Sequence, residues 1–185
     1  MTKSYLTITI LILIVIGGGY LYYSRIDSGL DLRQFGSANL GFLKSDSSRE
    51  LPIGSRSYHS EQYKFSLFYP EGMLVNEFDE GGGASTITFE DAEEGLGFQI
   101  FIVPYGENQV SEERFLMDVP LGIRENSSDF YIDGAVAVSF YSKNIGLGDT
   151  WEVWFIREGF LYEVTTLKNL DVWFGDIMKS WKFIN

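Results

Sequence analysis

Between Tyr63 and Leu167 the chain breaks into short runs of apolar and aromatic residues closed by glycine or proline. Such runs, four to eight residues long and bounded by turn formers, are the signature of strands. They cover Tyr63–Tyr69, Met73–Phe78, Ala84–Glu90, Gly97–Val103, Phe130–Ile132, Ala135–Ser142, Thr150–Arg157 and Phe160–Leu167. Pro70-Glu71-Gly72 punctuates the first turn. Asp133-Gly134 and Glu158-Gly159 supply the positive φ that tight hairpins need. Two stretches break the pattern. Ser111-Glu112-Glu113 offers an N-cap and first-turn acids to a helix over Arg114–Asp118 that Pro120 stops. Leu170, Trp173, Phe174, Ile177, Met178 and Trp181 fall on one helical face, with Asn169 or Asp171 to cap its start and Lys179 and Lys182 near its end. Phe98, Ile100 and Ile102 alternate with Gln99, Phe101 and Val103, and Trp151, Val153 and Phe155 with Glu152, Trp154 and Ile156. Both faces of the central strands carry large apolar groups, so each needs cover. The predicted class is α+β: an antiparallel sheet covered by helices on both faces, an α–β–α sandwich.

The pattern upstream is different. Residues 5–23, YLTITILILIVIGGGYLYY, hold no charge. As a helix they extend roughly 28 Å, close to the ~30 Å hydrocarbon layer of a bilayer. Tyr20, Tyr22 and Tyr23 gather at one end, where an interfacial aromatic belt is expected. Two readings fit: one retained transmembrane helix, which the tyrosines favour, and a secretory signal with Gly17, Gly18 and Gly19 open to cleavage. Both place the rest of the chain outside the cytoplasm. Residues 24–57 mix Ser, Gly and charge without a sustained period and read as a flexible linker. Within it the apolar run Leu40–Leu43 offers a segment that docks on the body. The expected division is an anchor or uncleaved signal over 1–23, a linker over 24–57 and one globular domain over 58–185.

The order of elements resembles a known family. Tyr63-Lys64-Phe65-Ser66-Leu67 followed by Tyr69-Pro70-Glu71-Gly72, then Ile132-Asp133-Gly134-Ala135, the second hairpin, and a last helix ending Met178-Lys179-Ser180-Trp181-Lys182-Phe183 are similar to PsbP-like domains over about residues 60 to 184. PsbP is an extrinsic subunit on the lumenal side of photosystem II, and many bacterial relatives are membrane-anchored or exported. The resemblance implies an α–β–α sandwich around an antiparallel sheet. It implies no photosynthetic role and transfers no binding residue.

Charge sharpens the picture. The chain carries 14 Lys and Arg against 26 Asp and Glu. Residues 24–57 are nearly neutral at +1, whereas residues 58–185 carry 8 basic and 22 acidic groups, a net −14. A body this negative repels phosphate backbones, which sets nucleic-acid partners aside. The absence of cysteine removes disulfides, thiol nucleophiles and thiolate-bound metals.

Candidate chemistry is sparse. His59 is the lone histidine and stands where linker meets body, a poor place for a triad base that a third group must orient. Glu90, Asp91, Glu93 and Glu94 crowd one loop and are the candidate metal ligands, for Ca²⁺, although the EF-hand loop pattern is absent and a hydrated acidic turn is the favoured reading. Gly81-Gly82-Gly83 and Gly146-Leu147-Gly148 lack the Lys-Ser or Lys-Thr of a phosphate loop and read as turns. Asn126-Ser127-Ser128 matches a glycosylation acceptor. Trp151, Trp154, Trp173 and Trp181 suit core packing or, alternatively, a ligand groove; Trp154 shares a strand face with Glu152 and is expected near an edge.

With no catalytic or cofactor-binding set, the expected function is non-enzymatic: a membrane-tethered extracytoplasmic domain that binds an envelope protein or assists assembly of a complex. The alternatives are a small-molecule or divalent-cation binding module and, least favoured, a carboxylate-dependent hydrolase.

Overall fold

Asp133-Gly134 and Glu158-Gly159 both take left-handed backbone, with φ of 44° and 87° and of 51° and 81°. That is the conformation of a two-residue type I′ hairpin, whose twist matches its strands. These turns close β6 (Glu125–Ile132) onto β7 (Ala135–Asn144) and β8 (Gly148–Arg157) onto β9 (Phe160–Leu167). Three further strands, β3 (Leu74–Gly81), β4 (Ala84–Asp91) and β5 (Leu96–Pro104), complete a seven-stranded sheet in the order β3-β4-β5-β9-β8-β7-β6, every pairing antiparallel. The computed structural model describes residues 51–119 and 121–184.

A smaller sheet lies over this one. β1 (Ser55–Ser60) and β10 (Lys182–Phe183) pair with opposite sides of β2 (Phe65–Pro70). Helix α1 (Glu112–Asp118) follows β5, and helix α2 (Asp171–Met178), entered through a 3₁₀ turn at Lys168–Leu170, follows β9. The main core lies between the sheets. Phe65, Leu67 and Tyr69 of β2 meet Ile87, Phe89, Phe98, Ile100, Ile102, Val153, Phe155, Tyr162 and Val164 from alternate positions of four strands, and Phe174, Ile177, Met178 and Trp181 close the end. The opposite face carries a second cluster, in which Phe115 and Val119 pack on Phe140 and Trp154.

The architecture is mostly antiparallel sheet with two short helices, which differs from the expected sandwich in what supplies the cover. On the main-core face most cover comes from β1-β2-β10, with α2 at one end. On the other face the seven residues of α1 cover only the part around Phe140 and Trp154. Strand β1 starts at Ser55, so the body begins before the expected boundary at Tyr58. The last helix ends at Met178, and Trp181 reaches the core from the turn beyond it. Ser111 caps α1 as expected, accepting the Arg114 N–H at 3.1 Å. Neither Asn169 nor Asp171 caps α2; Asp171 is its first residue and accepts the Tyr141 hydroxyl at 2.6 Å. The anchor, most of the linker and the Leu40–Leu43 run lie outside the described residues. No described helix is long and apolar enough to cross a membrane.

Candidate functional site: an open groove and a sealed charge cluster

Where β2 runs out, its outward residues meet the flank of α2. Pro52, Ser55, Phe68, Tyr69 and Pro70 line one wall of a groove of about 500 Å³, and Trp173, Asp176, Ile177, Lys179 and Ser180 line the other. This falls within the roughly 300–1,000 Å³ of ligand clefts. Local bonding fixes both walls. Ser55 N–H donates to Pro52 O at 3.1 Å and Glu71 N–H to Gly54 O at 3.0 Å, locking the entry of the chain against the Pro70 turn. Ser180 Oγ accepts the Phe68 N–H at 2.8 Å and donates to Ile177 O at 2.6 Å, clamping the end of α2 to β2. Trp173 and Ile177, one helical turn apart, give the α2 wall its apolar face. Asp176 and Lys179 pair at 2.7 Å on the exposed rim. Of the four tryptophans, Trp173 is the one that lines this groove.

A second constellation lies under α1, and the sequence did not single it out. Arg114 and Asp118, one turn apart on the helix, form an ion pair, and Arg114 Nη2 donates to Glu163 Oε1 at 3.0 Å. Glu163 stands opposite Trp154 in the β8–β9 register, and Glu152 opposite Thr165. Glu152 accepts from Thr150 Oγ1 at 2.7 Å, Thr165 Oγ1 at 2.6 Å and Trp154 Nε1 at 3.4 Å. Trp154 is thus interior and shares Glu152's face, with β7 and β6 between it and the sheet edge. The signal available in sequence was a glutamate at the centre of a strand apolar on both faces, which demands a buried partner.

Burial pushes the Glu163 carboxyl well above the ordinary range; the Asp118 charge adds to this and Arg114 opposes it. Burial also raises Asp118, against its bonds to Glu163 and Arg114, and raises Glu152, against its three donors. A carboxyl with a higher folded than unfolded value binds more protons when folded. Its stabilising contribution is full below the unfolded value, about 4, and is lost as pH rises through the folded one. The unfolding temperature is therefore expected to fall as pH rises above the ordinary carboxylate range of about 4, and Glu163→Gln to flatten that slope. A midpoint that climbs over the same rise in pH would show the cluster to be stabilised by ionisation instead.

The remaining sequence candidates are dispersed. His59 is on β1 with Nε2 2.7 Å from Glu61 Oε1, both exposed. Glu90 and Asp91 end β4, and Asp91 Oδ1 accepts the N–H groups of Glu93 and Glu94, each at 3.1 Å. That bonding fixes the turn, and among the described residues no three His, Asp or Glu gather in a geometry that holds a metal. Burial raises Glu90 above the ordinary range. Asn126 sits at a positive φ of 53° on the exposed start of β6.

No family model matches the sequence, and no curated protein does. The structure is similar to the solution structure of cyanobacterial PsbP (CyanoP) from Synechocystis sp. PCC 6803, with 14% identity, 75% of this chain and 98% of that chain covered, and a TM-score of 0.49. That is the family the sequence resembles.

Proposed function

We propose that this chain is a non-enzymatic binding domain, tethered to a membrane through residues 5–23 and facing away from the cytoplasm, whose groove takes up an extended apolar segment of an envelope protein during assembly of a complex. The observation that carries the reading is the groove. Its walls are aromatic, aliphatic and proline side chains, and its charged pair is at the rim. Such a surface buries apolar anchors of a peptide while the rim stays wet. Tyr69, Trp173 and Pro70 lose little conformational entropy on contact, which favours recognition of a flexible partner. The length and aromatic end of residues 5–23 support the tether.

Site-specific photocross-linking of the full chain in its native envelope tests this. With p-benzoylphenylalanine at Lys179, on the groove rim, a discrete adduct to one other polypeptide is expected, joined through an apolar stretch. The same probe at Glu113, exposed on α1, is expected to give none. Trp173→Ala should reduce the Lys179 adduct several-fold. Equal labelling from both positions, or none from Lys179, would overturn the reading.

A further inference from the structure

We infer that the face of β3, β4 and β5 turned away from the main core is a second docking surface, independent of the groove, on which an extended basic segment of another protein seats a lysine ammonium between Thr88 and Glu90. Strand β4 sends Ile87 and Phe89 into the main core, so Thr86, Thr88 and Glu90 share its opposite face. The register sets Asn76 and Gln99 on either side of Thr88, and Leu74 and Gly97 on either side of Glu90. None of these residues belongs to the apolar cluster packed beneath α1.

Three oxygens on this face lack a partner. Thr86 and Thr88 are 4% and 2% exposed, yet the Oγ1 of each makes no hydrogen bond, and neither does Glu90 Oε1. A buried polar group left unmatched is costly, and each one in a native structure calls for an explanation. The Thr88 hydroxyl lies near enough to favour the ionised Glu90 carboxyl against burial but does not bond to it. A donor that reaches both satisfies them at once. A lysine ammonium carries three N–H donors and no acceptor, which matches a site made of acceptors. A divalent cation such as Ca²⁺ wants six or more oxygens, and among the described residues no three acids gather to hold one. Opposite the carboxyl, Gly97 leaves the β5 side without a side chain, and Leu74, 64% exposed, offers apolar surface to the lysine stem.

Charge around the site favours the same occupant. Residues 71–94 carry eight Asp and Glu and no Lys, Arg or His, so the β3–β4 hairpin and the turn after it attract a cation and repel a second copy of themselves. Spacing selects a polypeptide over a free amine. Thr86, Thr88 and Glu90 recur about every 6.8 Å along the strand, which is the period of side chains on one face of an extended chain. A segment with lysines at alternate positions therefore meets the row in register.

The full chain in nanodiscs of zwitterionic lipid, titrated by fluorescence anisotropy with a labelled short peptide bearing lysine at alternate positions, tests this. Saturable binding is expected, and acetylation of the peptide lysines is expected to abolish it. Glu90→Gln and Thr88→Val should each weaken it several-fold, whereas Glu113→Gln, on α1, should leave it unchanged. Thr88→Val replaces the orphaned hydroxyl by a methyl, so its thermal midpoint is expected to hold or rise, which separates lost binding from lost fold. No saturable binding, or equal weakening by all three substitutions, would overturn the inference, the latter because it marks attraction by net charge alone. Spermidine that binds as tightly as the peptide, with the same dependence on Thr88 and Glu90, would overturn the polypeptide occupant in favour of a polyamine. The Lys179 adduct tests the groove separately and is expected to be unaffected by either substitution on this face.

Discussion

Replacing Arg114 with methionine is expected to lower the free energy of unfolding at pH 7 by about 3–5 kcal/mol, the typical loss when one partner of a buried ion pair is removed. The guanidinium is 13% exposed and lies against Glu163 and Asp118, 7% and 17% exposed. Without it, one face of the sheet holds two buried carboxyls with no cation between them, one of which must take up a proton for the fold to survive. Urea denaturation followed by tryptophan fluorescence measures the change, because Trp154 packs against Phe115 of the helix that carries Arg114. Replacing the three partners together, with Arg114→Met, Asp118→Ala and Glu163→Leu, is expected to recover most of the loss, since a packed apolar cluster often equals or exceeds a buried ion network. A single-mutant loss under about 1 kcal/mol would mean that water reaches the cluster and that it behaves as a surface pair.

Trp181→Ala is expected to cost a similar amount, about 3–5 kcal/mol, through lost burial and the cavity left behind. The indole is 2% exposed, stacks on Phe65 with ring centroids 4.2 Å apart, and meets Phe155 and Tyr162 edge-on at 5.1 and 5.9 Å. It holds β2, β8 and β9 together from a turn that belongs to none of them. Trp181→Phe is expected to cost far less, because the indole N–H finds no acceptor among the described residues and its removal relieves an uncompensated donor. Equal losses for the two variants would show that the N–H is solvated and that shape alone sets the cost. Thermal and urea midpoints distinguish the cases.

Most of the large sheet was legible because its turns carry their own chemistry. Asp133-Gly134 and Glu158-Gly159 fix two hairpins locally, and apolar alternation then sets the register of their strands. The Ser111 cap was legible for the same reason: one hydroxyl and one N–H three residues on. Strand β1 was not, because Ser-Arg-Ser-Tyr-His-Ser has no alternation of its own and becomes a strand only by pairing with β2. The two-residue β10 is likewise a product of tertiary contact. The last helix was read too long because Trp181 continues the apolar period while belonging to the turn. The groove draws on residues near 52, 69 and 176, distances that no local pattern connects; only Trp173 was named beforehand as a lining candidate. The charge cluster joins a helical Arg114–Asp118 pair to Glu163 on β9, and sequence reveals the demand for a partner without revealing which one.

Strand β2 is flanked by the first strand of the body and by the last, and its Phe68 N–H is held by Ser180, 112 residues away. Lys182 and the Phe183 N–H, at the far end, bind Asp133 of the β6–β7 turn. On a chain made from its amino end, β1 and β2 are the first strands of the body to be synthesised, yet β10 and Trp181, which close over β2, follow every strand of the large sheet. The aromatic face of Phe65, Leu67 and Tyr69 therefore gains Ile87 and Phe89 early but Trp181 only after all seven strands of the large sheet have been made. During that interval a chaperone has a window in which β2 lacks its closing residues, and docking of Ser180 and Phe183 is the step that ends it.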